Sequence, residues 1–210
     1  MINVLIIGAN GQLGRNTTRA FLRDTDALIS LYLRRAGRLP NPDSARVRIF
    51  DADVLDHPLL ESAMRGQDAV CAALDGDMKR YAEEIVAAMH ATANARRLIF
   101  VSAMGIYGEV SGESYRDELN PYRDAAAVIE ASDLDYTILR PARFTQDPEV
   151  SYELTQKGEP FKGREVSLNS VSDLIVKLAT TPGMQSRRSI GVSRPVSSER
   201  RADARPERSV

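Results

Sequence analysis

Apolar positions in this chain gather into short continuous runs, and the stretches between the runs carry helical spacing. The runs at residues 2–7, 28–33, 47–50, 69–73, 98–101 and 136–139 predict strands. Their nearly unbroken apolar character marks strands buried on both faces. The stretches 12–23, 58–65, 78–93 and 122–131 predict helices. Strands alternating with helices in this way predict an α/β fold, a doubly wound parallel sheet with right-handed crossovers. A ligand of such a sheet lies at the carboxyl ends of the strands. After about residue 141 the pattern loosens: 165–168 predicts a strand, 171–180 a helix and 189–192 a last strand. These pieces are too short for a second large domain, and they read as a small cap on the substrate side, spanning about 141–195. Residues 1–195 are therefore expected to form one domain. From residue 196 the chain has little to bury, so 196–210 is expected to be a disordered tail.

The turn between the first strand and the first helix carries the most chemistry. It reads Ile7-Gly8-Ala9-Asn10-Gly11-Gln12-Leu13-Gly14, with three glycines at three-residue spacing. Gly8 permits a sharp turn off the strand, Gly11 lets backbone approach a phosphate, and Gly14 lets the helix pack closely on the strand. The free N–H groups and positive dipole end of the helix then face an anion. A strand before the glycines and a helix after them is the context a dinucleotide site requires; a plain strand–helix turn is the bland alternative.

The end of the second strand decides which dinucleotide fits. An NAD site places Asp or Glu there to bind the ribose 2′-hydroxyl. Here Leu33 is followed by Arg34 and Arg35, with Arg38 close behind. A guanidinium suits a 2′-phosphate because it donates two parallel hydrogen bonds, so NADP(H) is expected ahead of NAD(H), with Arg34 the leading residue. An exposed basic loop is the alternative. The third strand ends Asp51-Ala52-Asp53-Val54-Leu55-Asp56. An acid there can accept from the adenine amino group, or Asp53 or Asp56 can cap the next helix. The fourth strand ends at Leu74-Asp75-Gly76, under the expected nicotinamide half, where small Ala72 and Ala73 let a cofactor lie close.

Composition narrows the choices. A net charge of -1 over 210 residues gives no reason to expect a nucleic-acid partner. The single cysteine, Cys71, excludes an intramolecular disulfide and sits in an apolar run, as a core residue would. No apolar run approaches the roughly 18 residues of a membrane span, and the first strand starts at Met1, which leaves no room for a signal peptide; a cytoplasmic location is expected. His57 and His90 have no companions at metal-ligand spacing, so no metal site is expected.

Together these residues resemble the atypical short-chain dehydrogenase/reductase group, the NAD(P)H-binding, NmrA-like proteins and flavin/biliverdin reductases. The resemblance runs over about 2–192. Its matching pieces are the glycine turn, Leu33-Arg34, Asp51 to Asp56, Gln67-Asp68-Ala69-Val70, Leu98-Ile99-Phe100-Val101-Ser102-Ala103, Leu134 to Pro141 and Ser170-Val171-Ser172-Asp173-Leu174. It implies a Rossmann-like fold and a nicotinamide cofactor. It also implies phosphate contacts from Gly11, Gln12 and Leu13, 2′-phosphate contacts from Arg34, and adenine between Asp53 and Val54. Leu74 and Ser102 would lie near the nicotinamide ribose, and backbone around Pro141 and Ala142 would face the carboxamide. No single substrate is implied, since members include quinone, flavin and isoflavone reductases, sugar-nucleotide epimerases and non-catalytic redox sensors.

The chain departs from the common catalytic pattern. Most short-chain dehydrogenases pair a serine with Tyr-x-x-x-Lys, whose ammonium lowers the tyrosine pKa. Here Tyr107, Tyr115 and Tyr122 are followed four residues later by Ser111, Leu119 and Ala126, and the only lysines are Lys79, Lys157, Lys162 and Lys177. Tyr122 is the best placed. It is a helix-start residue with no catalytic part, a donor at its own pKa, or a residue assisted by Arg123 or Arg143. Ser102, at the end of the fifth strand, is the stronger site residue; its alternative is a strand-end hydrogen bond to backbone. Hydride transfer to a flavin or quinone can take its proton from water and needs no such pair. The expected function is thus an NADP(H)-dependent oxidoreductase acting on a small carbonyl, quinone or flavin-like substrate. The rival is a redox sensor that signals to a protein partner, and homo-oligomerisation is left open. An epimerase is less favoured, because little chain is left for a large substrate lobe.

Overall fold

A computed structural model describes residues 1–92, 95 and 97–196. Of the expected tail at 196–210, residues 197–210 lie outside the described residues. In chain order the elements are β1 Asn3–Ile7, α1 Gln12–Asp24, β2 Leu28–Leu33, β3 Val47–Asp51, α2 His57–Met64, β4 Ala69–Ala72, α3 Met78–Ala91 and β5 Arg97–Val101. They continue with α4 Asn120–Glu130, β6 Asp135–Pro141, β7 Arg143–Thr145, β8 Glu153–Gln156, β9 Glu165–Ser167, α5 Leu168–Thr180 and β10 Arg188–Ser193. An eight-stranded sheet has the order β3-β2-β1-β4-β5-β6-β10-β8, and β7 pairs with β9 in a separate two-stranded sheet. Every pairing in the large sheet is parallel except β10 with β8. This is the Rossmann-like doubly wound arrangement that the apolar runs predict.

The double apolar face of each central strand explains the layering. In β1, Val4 and Ile6 pack into the layer beneath α1 and α5, while Leu5 and Ile7 pack into the opposite layer with α2, α3 and α4. β4 and β5 are buried at every position. Each such Val, Leu or Ile contributes roughly 1.5–3 kcal/mol through burial. Helix α1 buries Leu13, Thr17, Ala20 and Phe21, a one-face spacing. It stops where Thr25 turns its N–H and hydroxyl onto the Phe21 carbonyl, 3.1 and 2.7 Å away. The Arg46 guanidinium then takes the carbonyls of Leu22, Thr25 and Ala27 that the helix end leaves over.

Three helices are capped by side chains. Asp56 accepts from Leu59 N–H in α2, Asp77 from Arg80 N–H in α3 and Ser167 from Ser170 N–H in α5. Helix α1 instead begins after Gly11, with no side-chain cap and no acidic residue in its first turn. Its leading N–H groups and positive dipole end stay open at the carboxyl edge of the sheet.

The cap over that edge is smaller than the sequence pattern suggests. Helix α5 packs on α1, and β10 enters the large sheet beside β6, so both belong to the sheet layers. What remains over the edge is β7, its partner β9 and the chain around them. Helix α5 starts at Leu168, before the expected 171, because Ser167 supplies the cap. The expected end of α3 at 93 lies outside the described residues. Among the described residues no helix is long and apolar enough to cross a membrane.

Candidate functional site

A cavity of about 940 Å³ opens at the carboxyl ends of β1, β2, β4, β5 and β6. Every site residue singled out from the sequence lines it. Gly8, Asn10, Gly11, Gln12, Leu13 and Gly14 form its floor. Arg34 and Arg35 stand at the end of β2, Asp53 and Val54 beyond β3, and Leu74 beyond β4. Ser102 follows β5, Tyr122 lies in the first turn of α4, and Pro141 and Ala142 close β6.

The glycines do the separate jobs their spacing implies. Gly8 has φ 80, and a Cβ there would overlap the Ala73 carbonyl oxygen. A Cβ on Gly14 would stand 2.5 Å from the Gly8 carbonyl oxygen and 2.8 Å from Ala9 Cα, so only glycine brings α1 this close to the turn. Gly11 meets only the Gly8 carbonyl oxygen, at 3.4 Å, and is otherwise open. The turn is held from behind by Arg15, whose Nε donates to the Asn10 carbonyl (2.9 Å) and whose Nη2 donates to Asn10 Oδ1.

The three acids at and beyond the end of β3 have three different partners. Asp51 accepts the backbone N–H groups of Arg35 and Ala36. Asp53 pairs with Arg34 Nη1 at 3.3 Å and takes Leu55 N–H. Asp56 is the cap of α2. Asp53 is thus the one that reaches the cavity, and the capping alternative falls to Asp56.

At the far end of the cavity Ser102 is 6% exposed, and its Oγ has no hydrogen-bond partner. The strand-end hydrogen bond to backbone is therefore absent. A buried hydroxyl without a partner costs free energy unless a ligand or water supplies one. Tyr122 donates its phenol to Asp75 Oδ1 at 2.6 Å. Burial, then this hydrogen bond and the carboxylate charge, pushes its pKa up to about 12. Among the described residues no cation is bonded to it: Arg123 reaches Asp124 and the Tyr115 ring instead, and the Arg143 side chain makes no hydrogen bond or ion pair. Asp75 was visible at a strand end in the sequence, but nothing there tied it to a tyrosine 47 positions away. Glu113, Arg116, Leu119, Arg143 and Phe144 complete the open end, and of these the sequence offers only Arg143 as a site residue. Cys71 is buried and its thiol is pushed up to about 12 by that burial, which fits a core residue. His57 sits on Glu84 and His90 on Asp133. Among the described residues no group of three His, Cys, Asp or Glu side chains is placed to hold a metal ion.

The arrangement fits a dinucleotide on its own terms. It offers an uncapped helix end above a glycine floor, two arginines at one extremity and an orphaned buried hydroxyl at the other. Comparison with known proteins agrees. A family model described as NAD(P)H-binding matches residues 8–182. A Rossmann-fold NAD(P)-binding family protein from Shigella flexneri is 40% identical, with a TM-score of 0.82 over 93% of this chain and 95% of that one. A short-chain dehydrogenase/reductase from Veillonella parvula, solved in complex with NADP, is 30% identical with a TM-score of 0.84, covering 93% of this chain and 95% of that one. An uncharacterized sugar epimerase, YhfK of Bacillus subtilis, is 27% identical over 162 residues, 70% of this chain and 74% of that protein.

Proposed function

The chain belongs to the NAD(P)H-binding family, and on that premise we propose that it is an NADP(H)-dependent oxidoreductase that reduces a small carbonyl, quinone or flavin-like acceptor. The observation that carries the reading is the pair Arg34 and Arg35 in the same cavity as the glycine turn, at the strand end where an NAD site places an acid. The N–H groups at the start of α1 would hold the pyrophosphate, Arg34 the 2′-phosphate, and Asp53 with Val54 the adenine. Leu74, Ser102 and the backbone at Pro141 and Ala142 would bound the nicotinamide half.

The bound dinucleotide supplies a hydride; the chain's own residues orient, shield and donate. Ser102 Oγ has a free donor and acceptor for the carboxamide side or for an acceptor oxygen. Tyr122 stays protonated at neutral pH, because its phenol is half-buried and hydrogen-bonded to Asp75. Its one proton is held on Asp75, whose carboxylate disfavours the phenolate form. That supports the direction of reduction over sugar epimerisation, which needs a base to take a hydroxyl proton. For a quinone or flavin the proton comes from water. The same missing base favours one other reading, a redox sensor that binds the cofactor without turnover.

The two readings separate in one assay. With menadione or flavin mononucleotide present, the protein should speed NADPH oxidation well above the rate without it. Binding of NADPH with no acceleration by either acceptor would contradict the enzyme and leave the sensor.

A further inference from the structure

Arg34 and Arg35 follow the last residue of β2, Leu33, and both line one cavity although they are adjacent in sequence. A break in the strand direction makes this possible. Arg35 takes the left-handed conformation, φ 61 and ψ 51, and the turn Ala36–Arg38 follows. A non-glycine residue there costs roughly 1–2 kcal/mol, and such strain persists only where the surroundings impose it. Asp51 imposes it. Its Oδ1 accepts Arg35 N–H at 2.8 Å and its Oδ2 accepts Ala36 N–H at 3.1 Å. The carboxylate therefore clamps two successive N–H groups of the turn from the neighbouring strand, where Asp51 stands in register with Leu33. Asp51 itself does not line the cavity.

We infer that Asp51 is a positioning residue for dinucleotide selection: it holds the turn that presents Arg34 and Arg35 together, and so sets the preference for a 2′-phosphate without touching it. The inference rests on the proposed dinucleotide reading. It assigns discrimination to a carboxylate that is not at the end of β2, where an acid is read as favouring a 2′-hydroxyl. Asp51 sits one strand over and acts on backbone. Arg34 is meanwhile kept near its working place by Asp53, in a pair so exposed (70% and 43%) that it is worth at most about 1 kcal/mol, weak enough for a phosphate to displace.

Calorimetric titration with 2′,5′-ADP and 5′-ADP isolates the 2′-phosphate. The native protein should favour 2′,5′-ADP by roughly tenfold or more, the scale of one charged hydrogen bond. Asp51→Ala should remove most of that ratio by weakening 2′,5′-ADP alone, with 5′-ADP changed less than about twofold. Asp51→Asn keeps one acceptor oxygen and should fall between the two; it also tests the idea if the alanine variant does not fold. Equal weakening of both nucleotides would mean a merely structural Asp51, and an unchanged ratio would mean that the turn holds without it; either result overturns the inference. If the native protein binds neither nucleotide, the dinucleotide reading falls and takes the inference with it. Binding without a shift in ratio sinks only the inference.

Discussion

The buried pair Arg140 and Glu109 offers the sharpest test of how the loop over the cavity is held. The Arg140 side chain is 0% exposed and that of Glu109 is 4% exposed. The Glu109 carboxylate takes Arg140 Nη1, Gly105 N–H (3.1 Å) and Tyr107 N–H (2.8 Å). Arg140 also donates to Ser189 Oγ and the Ser189 carbonyl, and lies over the Tyr107 and Phe161 rings. Glu109→Leu strands a guanidinium that cannot neutralise itself by losing a proton. Breaking a buried pair from one side costs about 3–5 kcal/mol, and each orphaned backbone N–H adds up to about 1–3 kcal/mol unless water reaches it. Glu109→Leu should therefore cost at least about 3 kcal/mol. In the double variant Glu109→Leu/Arg140→Met no charge is left buried, so the cost should fall back toward that of the two lost backbone bonds, about 2–6 kcal/mol and less where water reaches them. Urea unfolding of the four proteins, with slopes compared, gives the coupling. A single variant costing less than about 1 kcal/mol, or a double equal to the sum of the singles, would refute this account of the loop.

Two further outcomes follow from the site. Gly14→Ala forces a methyl against the Gly8 carbonyl and Ala9 backbone, so it should lose roughly 1–3 kcal/mol in urea unfolding and bind NADPH more weakly; a fully stable variant with native binding would contradict the close-packing role. At alkaline pH, Tyr122 holds its proton to about 12 when folded, against about 10 in an unfolded chain. The folded state then carries the extra proton, so stability is full below about pH 10 and falls as pH climbs toward 12. Tyr122→Phe should make that decline shallower between pH 10 and 11.5 in urea unfolding, and an identical decline would show that Tyr122 titrates normally.

The fold was legible because nearly every central strand is apolar on both faces. The run 28–33 matches β2 at both ends, and the glycine spacing places α1 at Gln12. What the pattern missed is short or mixed in polarity. Arg143–Thr145 is a three-residue strand, and β8, Glu-Leu-Thr-Gln, lies at the sheet edge where polar side chains are tolerated. Helix α5 and β10 looked like cap because nothing in their own residues says which sheet they join; the crossover from β6 decides it. Most of the predicted site residues were legible because they follow a strand at the same edge; Glu113, Arg116, Leu119 and Phe144, which also line the cavity, carried no such signal. The pairings that set the site's behaviour were not legible. Asp75 with Tyr122, Glu109 with Arg140 and Asp51 with the Arg35 turn are contacts across 47, 31 and 16 positions, and only the tertiary fold brings them together. An arginine within the otherwise apolar Tyr136-Thr137-Ile138-Leu139-Arg140-Pro141 was the available sign that a buried acid had to exist.

The central claim is an NADP(H) site read through Arg34. Its most direct test is titration of the protein with NADPH and NADH, repeated on Arg34→Ala. The account predicts that NADPH binds more tightly than NADH. Because Arg34 is largely exposed, the substitution should cost NADPH roughly 1.5 kcal/mol, the low end for a charged hydrogen bond, and leave NADH nearly unchanged. Equal affinities in the native protein, or an Arg34→Ala variant that binds NADPH as well as before, would contradict it.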